Sequence, residues 1–330
     1  MEEITNDLFY PSLEKSLKDV PSLTLPSCQE KIKSLVYYEK AIEAMVGNGL
    51  NRDSTLIALG GGSLLDMAGF VASTYARGIN LVFIPTTLLA MVDACFGGKT
   101  ALNFSSTKNM IGTNYPADDI LIDVDCLSSL PFVQMQSGLA EVIKYGLIAD
   151  PSLLTTLEDN FDLFLNKDRL FLQKIIEKSL EIKHEIVRQD PFDQGLRRSL
   201  NFGHTLGHAL EAFWEYSVPH GHAIAIGIML ESYLSVHLNL LSEQELSSIC
   251  SICKRYGFIS ASPLPSYEKL KPFLLRDKKN TANVIRATLL SKIGQIDTAE
   301  RQYCRSVSED LIKQSLIWYN RMNENTIGTS

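Results

Sequence analysis

Four of the six histidines in the chain, His204, His208, His220 and His222, lie between positions 204 and 222. His204 and His208 stand at i and i+4, so a helix would carry both on one face. Gly203 and Gly207 leave the backbone around them uncovered, which lets a bulky group approach. Histidine is the commonest metal ligand and the side chain that titrates nearest neutrality. A single histidine in such a stretch reads as helix packing. Four of them, beside Arg197 and Asn201, point to metal or proton-transfer chemistry. Spacing alone would pair His204 with His208 as two ligands on one helix face. Glu141 and Lys144 share a helix face at i, i+3. As a surface pair they would contribute little. Their neighbours Leu139, Ala140, Val142 and Ile143 are apolar or small, and a buried carboxylate and ammonium must have partners.

A second set of residues suits phosphate. Gly60-Gly61-Gly62-Ser63 turns the chain between an apolar run and a helical one. Backbone N–H groups in such a turn face an anion at the positive end of the helix. The spelling is not GxGxxG, and a tight structural turn explains it equally well. Asp66 fits a ribose or nicotinamide contact, or a first-turn acid favoured by the helix dipole. Pro85-Thr86-Thr87 offers hydroxyls where ligands bind in open α/β sheets. Asp93, Lys99, Lys108 and Asn109 follow in stretches rich in Gly and Asn, which read as loops. Gly97-Gly98-Lys99-Thr100 lacks the first glycine of a P-loop, which excludes a nucleoside triphosphatase of that type.

These residues need elements to hold them. A helix is expected over 30–49, a buried strand over Thr55–Leu59, a helix over Leu64–Ala76 and a strand over Ile79–Ile84. That order is a βαβ crossover. A helix from Leu88 towards Cys95 and a strand at Ile120–Val124 complete a parallel-sheet α/β domain over residues 1–130. After Leu130-Pro131 the periodicity is helical, at 134–149, 151–166, 168–189, 199–216, 222–240, 243–256 and 266–276. Only Val284–Leu290 suggests a strand, so residues 131–330 read as a mostly helical domain, frayed from Asn323 to Ser330.

With 330 residues, 45% hydrophobic and 21% charged, the chain suits two globular domains. A net charge of −7 argues against a nucleic-acid partner, though a local basic cluster can still hold an anionic substrate. No apolar run is long enough to span a membrane. The start, Met-Glu-Glu-Ile-Thr-Asn-Asp, lacks the basic-then-apolar pattern of a secretory signal. Six scattered cysteines fit reduced thiols and a cytoplasmic protein. Cys250-Ser-Ile-Cys253 has no second pair, which disfavours zinc.

The ordered motifs Gly-Gly-Gly-x-x-x-Asp-x-x-Gly-Phe (60–70), Arg77-Gly78, Pro-Thr-Thr-Leu-Leu-Ala (85–90), Val-Asp-Ala-x-x-Gly-Gly-Lys (92–99), Lys108-Asn109, Ala-Glu-x-x-Lys (140–144), Leu-Asn-Phe-Gly-His-Thr-x-Gly-His-Ala (200–209) and His220-Gly221 resemble the 3-dehydroquinate synthase family. The match runs in order over roughly residues 27–295. It implies an α/β domain with a parallel sheet and a Rossmann-like NAD site, followed by a mostly helical metal- and substrate-binding domain. It implies conversion of 3-deoxy-D-arabino-heptulosonate 7-phosphate to 3-dehydroquinate in the shikimate pathway. The steps are transient oxidation by NAD, phosphate elimination, re-reduction and aldol closure, with a divalent metal, zinc or cobalt. By the same resemblance Glu141, His204 and His220 are the metal ligands and His208 a substrate contact and proton carrier. Lys99, Asn109 and Lys279 (or Lys278) meet phosphate, while Lys183, Arg197 and Asn201 meet the substrate carboxylate. Lys144 and Asp93 complete the site. Arg77 reaches a neighbouring subunit, so a homodimer is implied. Glu30, Lys33, Gly61, Gly62, Asp66, Thr86, Thr87, Lys99, Lys108 and Ser129 match NAD contacts.

The chain departs from the family at Leu65 (commonly Gly), Cys95 (Ser), His222 (Glu) and Ser129 (Thr). The family also usually has a strand region before the segment matching Ile4-Thr5-Asn6-Asp7; a shortened start or a truncated gene model is expected, at a cost to NAD binding or the sheet edge. His222 is expected to point away from the metal. Two other readings share the build: a cyclase acting on another sugar phosphate, and a metal-dependent polyol dehydrogenase. The dehydrogenase has little need for Lys99, Lys183, Arg197 and Lys279 together.

Overall fold

The structure is a computed structural model and describes residues 1–9, 20–105, 107–260, 262–275, 284–298 and 302–327. The chain divides into two compact units, Met1–Gly138 with Arg169–Leu180, and Leu139–Asp168 with Glu181–Ser330.

In the first unit, after a helical stretch at 3–9 and a 3-10 turn at Gln29–Ile32, come helix α1 (Leu35–Gly47), strand β1 (Thr55–Gly60), helix α2 (Gly62–Thr74) and strand β2 (Asn80–Pro85). β1 and β2 pair in parallel from Thr55↔Asn80 to Gly60↔Pro85, as a strand–helix–strand crossover requires. The short strand β5 (Asp119–Ile120) joins β2, giving a three-stranded sheet in the order β1-β2-β5 among the described residues. Leu64, Leu65, Ala68 and Val71 of α2 bury against Ala58, Leu81 and Phe83 of the sheet. Between β2 and β5 runs an antiparallel hairpin, β3 (Lys99–Phe104) and β4 (Thr107–Asn114). The stretch carrying Lys99, Lys108 and Asn109 is therefore strand, not loop. A Cβ on Gly69 would lie 2.3 Å from Thr100 Cγ2, so α2 seats β3 only because it carries glycine there.

The second unit is mostly helical: α3 (Phe132–Ile148, which begins in the first unit), α4 (Ser152–Asp159), α5 (Phe161–Leu165), the C-terminal part of α6 (Arg169–Gln189), α7 (His204–Phe213), α8 (His220–His237), α9 (Glu243–Arg255) and α10 (Tyr267–Leu274). The helix expected over 151–166 is broken at Asn160, and the one expected over 199–216 starts only at His204, after a 3-10 segment at Leu196–Asn201. More strand is present than expected: β6 (Ile285–Ala287) pairs with β9 (Arg305–Val307), and β7 (Leu290–Lys292) with β8 (Gln295–Ile296). Helix α11 (Glu309–Ile327) runs through most of the tail expected to fray. No helix among the described residues is long and apolar enough to cross a membrane.

Candidate functional site

The histidine region is built on the crossing of α7 and α8. Gly203, at φ +80°, turns the chain into α7. A Cβ on Gly227 of α8 would lie 2.0 Å from the Gly203 carbonyl oxygen and 2.7 Å from Gly207 N, so the helices meet backbone to backbone. Gly203 supplies no side-chain cap to α7. Glu231, fully buried on α8, does so from the neighbouring helix. It accepts the Gly203 N–H at 2.7 Å and the Leu206 N–H at 3.0 Å, and so satisfies two donors that a helix start leaves open. Thr205 adds a bond from its Oγ1 to the Arg286 carbonyl on β6.

Glu141 and Lys144 are buried on α3, at 0% and 1% exposure, which resolves the surface-or-core question in favour of the core. Lys144 Nζ pairs with Glu141 Oε2. The other oxygen, Oε1, faces His204 Nε2 at 3.4 Å and His220 Nε2 at 3.6 Å. The far side of each ring is held. His204 Nδ1 lies 3.0 Å from the Phe202 carbonyl oxygen, which can only accept, so Nδ1 carries the proton. His220 Nδ1 lies 3.2 Å from Glu211 Oε2 on α7. With their protons on Nδ1, both rings aim bare Nε2 lone pairs at a carboxylate oxygen. With both rings neutral, three acceptors then face one another, an arrangement that is favourable only around a metal ion or a proton taken up at Nε2. His208 belongs to the same cluster. Its ring lies 5.0 Å from that of His204 and 5.8 Å from that of His220, and ligand atoms of the three histidines lie within 4.8 Å of one another.

The electrostatics follow from this crowding. Burial opposes ionisation of Glu141, but Lys144 and His204 outweigh it and hold its carboxyl well below the usual range. Burial dominates at His204 and lowers its pKa despite Glu141. At His220 burial is outweighed by the Glu141 and Glu211 carboxylates on its two sides, and the pKa is pushed up to about 10. A proton and a metal ion thus contend for the same lone pair on His220.

Of the residues matched to the substrate carboxylate, Lys183 and Arg197 are buried. The Asp190 carboxylate accepts the N–H groups of Gln194, Gly195 and Arg197, which folds the loop that presents Arg197. Arg197 Nη1 donates to the Pro191 carbonyl, and Asn201 Nδ2 donates to the Arg198 carbonyl. His222, on the first turn of α8, packs edge-on against Phe258 at 5.3 Å. Lys278 and Lys279 lie outside the described residues.

In the first unit, Lys33 is the centre of a second polar cluster. Its Nζ donates to Asp66 Oδ2 at 2.6 Å and to Asn109 Oδ1, and lies 3.5 Å from Glu30. Glu30 is held in turn by Ser63 Oγ and Asn103 Nδ2. Burial works against the charge on Lys33, but Asp66 and Glu30 outweigh it and raise its pKa. Asp66 thus meets a lysine, and Asn109, matched to phosphate, meets the same one. At the glycine turn a Cβ on Gly62 would come within 2.9 Å of Ala94, and one on Gly61 within 3.3 Å of Thr87. The Glu2 carboxylate stands beside Gly61 at the start of α2, and burial raises the pKa of that carboxyl. Thr86 is buried, and Thr87 Oγ1 accepts the Ala90 N–H. The helix expected towards Cys95 is wound as a π-helix over Ala90–Ala94, which includes Asp93. Ala76, Arg77 and Gly78 all have positive φ, a sharp turn that sets the direction of Arg77. Ser129 Oγ donates to the Cys126 carbonyl, while Lys99 and Lys108 lie on β3 and β4.

Sequence reasoning missed two residues of the site, Glu211 and Glu231. Glu211 had a signal, since it continues the His204, His208 face of α7 at i+7. Glu231 had a weaker one, a lone acid in the apolar run of α8.

Known proteins place the chain. Residues 23–137 match the family model described as 3-dehydroquinate synthase N-terminal, and residues 138–280 match the one described as 3-dehydroquinate synthase C-terminal. A 3-dehydroquinate synthase from Shewanella frigidimarina is 41% identical over 320 residues, covering 94% of this chain and 88% of that protein. Among solved structures, the 2-epi-5-epi-valiolone synthase ValA of Streptomyces hygroscopicus, with NAD+ and Zn2+ bound, aligns with a TM-score of 0.87 and 26% identity, over 97% of this chain and 89% of that one. A 2-deoxy-scyllo-inosose synthase complexed with carbaglucose-6-phosphate, NAD+ and Co2+ aligns with a TM-score of 0.87 and 26% identity, over 96% and 88% of the two chains.

Proposed function

The chain belongs to the 3-dehydroquinate synthase family, and we propose from this that it converts 3-deoxy-D-arabino-heptulosonate 7-phosphate to 3-dehydroquinate and phosphate, as a phosphate-eliminating lyase using NAD and a divalent metal. The observation that carries the metal is the convergence of Glu141 Oε1 with the Nε2 atoms of His204 and His220, three acceptors around one point once His220 gives up its Nε2 proton. Those three residues would hold the ion, which we assign as zinc. Bound metal would acidify a substrate hydroxyl, and NAD would accept a hydride and return it.

The chain's own residues do the rest. Lys144 neutralises Glu141 Oε2 and leaves Oε1 for the cation. His208 lies near enough to the cluster to hold or move a proton at a substrate oxygen. Arg197, carried on the Asp190 loop, offers a planar fork to the substrate carboxylate, with Lys183 and Asn201 beside it. Lys99, Asn109 and Lys279 take the phosphate, and Asp93 completes the shell. Gly61, Gly62 and the start of α2 take the NAD pyrophosphate, with Glu30, Lys33, Asp66, Thr86, Thr87, Lys108 and Ser129 around the cofactor. The chain works as a cytoplasmic homodimer in which Arg77 serves the partner's site; its six cysteines stand as thiols, in keeping with that compartment.

Phosphate release from the heptulosonate phosphate, measured with and without NAD and zinc, tests the reading. Release that needs both, with no net NADH accumulating, supports it. Stoichiometric NADH would make the chain a dehydrogenase. Turnover of an uncarboxylated sugar phosphate in preference would make it a different cyclase.

A further inference from the structure

Glu211 sits at 5% exposure on α7, a helix whose other buried residues are apolar, glycine, histidine or the hydrogen-bonded Thr205. A carboxylate taken that far out of water needs a specific partner. One partner is His220, whose Nδ1 is 3.2 Å from Glu211 Oε2 across the α7–α8 crossing, nine residues along the chain. The same ring presents Nε2 to Glu141 Oε1 at 3.6 Å. His220 is therefore gripped through one nitrogen and directed through the other. His204 has an equivalent grip from the Phe202 carbonyl, but that acceptor is neutral backbone. Glu211 is the charged version of the same device, placed on the ligand that enters from the second helix.

We propose that Glu211 is a positioning residue for the metal centre: by accepting the Nδ1 proton of His220 it fixes the ring in the tautomer whose Nε2 lone pair faces Glu141. This rests on the reading of His220 as a metal ligand. Without an acceptor at Nδ1 the proton is free to sit on Nε2, where it blocks ligation, and the ring loses the hydrogen bond that sets its angle. A carboxylate behind an imidazole also makes the ligating nitrogen more basic, and partners of this kind are worth roughly 10- to 100-fold in metal affinity. Glu211 does not touch the cation in this arrangement; its effect passes through the His220 ring.

Co2+ and Zn2+ affinities, measured at one pH by competition with a chelator, test the proposal in the full chain. Glu211→Ala should weaken both metals by about 10- to 100-fold and shift the visible ligand-field band of the Co2+ protein. Glu211→Gln, which keeps an oxygen acceptor and the side-chain volume, should recover most of that loss; a role limited to charge would not be rescued by Gln, and a role limited to packing would be rescued equally by Glu211→Leu and would leave the Co2+ band in place. His220→Ala should bind more weakly than either variant. Wild-type affinity and band in Glu211→Ala, with binding lost in His220→Ala, would overturn the positioning role and leave His220 a ligand. Wild-type affinity in His220→Ala would remove the ligand and the proposal with it. If Glu211→Ala does not fold, equal affinity and band in Glu211→Gln and Glu211→Leu overturns the proposal.

Discussion

The two polar clusters of this protein handle buried charge in opposite ways. Around Lys33 the chain supplies its own cation: one ammonium lies between Asp66 and Glu30, both carboxylates keep some contact with water, and the Asn103 amide and Ser63 hydroxyl also donate to Glu30. Around Glu141 the chain supplies a cation for one oxygen only. Lys144 takes Oε2, while Oε1 faces two imidazoles whose other nitrogens are already engaged. The first cluster is complete as folded, whereas the second is an excess of acceptors that only a proton on His220 or a metal ion in its place would resolve. Clusters rich in carboxylates and bases are therefore told apart by whether donors and acceptors balance, not by how many ionisable groups they contain.

That contrast can be broken by experiment. The largest stability effect is expected at Lys33→Met, which removes the ammonium that pairs with both Asp66 and Glu30. It should destabilise the fold by about 3 kcal/mol, the low end for breaking a buried pair because both acids are partly wet. Denaturant unfolding should give the same loss with zinc or with chelator, and a loss that zinc restores would mean that this cluster, too, binds metal. Somewhat smaller is Glu231→Ala, which strands the N–H groups of Gly203 and Leu206 at the start of the histidine helix. At about 1–3 kcal/mol for each unsatisfied buried donor, with partial relaxation, the expected loss is about 2 kcal/mol, again by denaturant unfolding. An unchanged midpoint would show that the helix start finds other acceptors.

The mildest effect concerns pH. In metal-free protein the pKa of His220 is raised from 6.5 to about 10. Its contribution to stability is therefore full below the unfolded value of 6.5 and lost as pH rises through about 10. Metal must displace that proton, so zinc affinity should climb between pH 7 and pH 9 with about one proton released per ion. Titration calorimetry in two buffers of different ionisation enthalpy reads the proton directly, and a flat affinity with no release would contradict the assignment.

Much of this was legible in the residues. The βαβ unit followed from an apolar run, a glycine turn and a helical period, and the histidine face followed from i, i+4 spacing. The β3–β4 hairpin was not legible. Asn103, Asn109 and Gly112 are poor strand formers, and the pairing is set by tertiary fit, notably Thr100 against Gly69. The strand expected over Val284–Leu290 forms at 285–287, but its partner at 305–307 was hidden, because three residues cannot show alternation and the two strands are far apart in the chain. Glu211 lay on a visible helix face, but its partner His220 follows a loop that spacing rules do not cross. Glu231 acts on residues 28 and 25 positions earlier, a contact made only when α8 folds back over α7.

The central claim is that Glu141, His204 and His220 form one cation site that the Lys33 cluster does not duplicate. Metal stoichiometry tests it most directly. Chelated wild-type protein dialysed against zinc should take up one ion per chain, Lys33→Met should also take up one, and His204→Ala and Glu141→Ala should take up none and release no phosphate from the heptulosonate phosphate. One tightly held ion in both His204→Ala and Glu141→Ala, or full turnover after complete removal of metal, would contradict it.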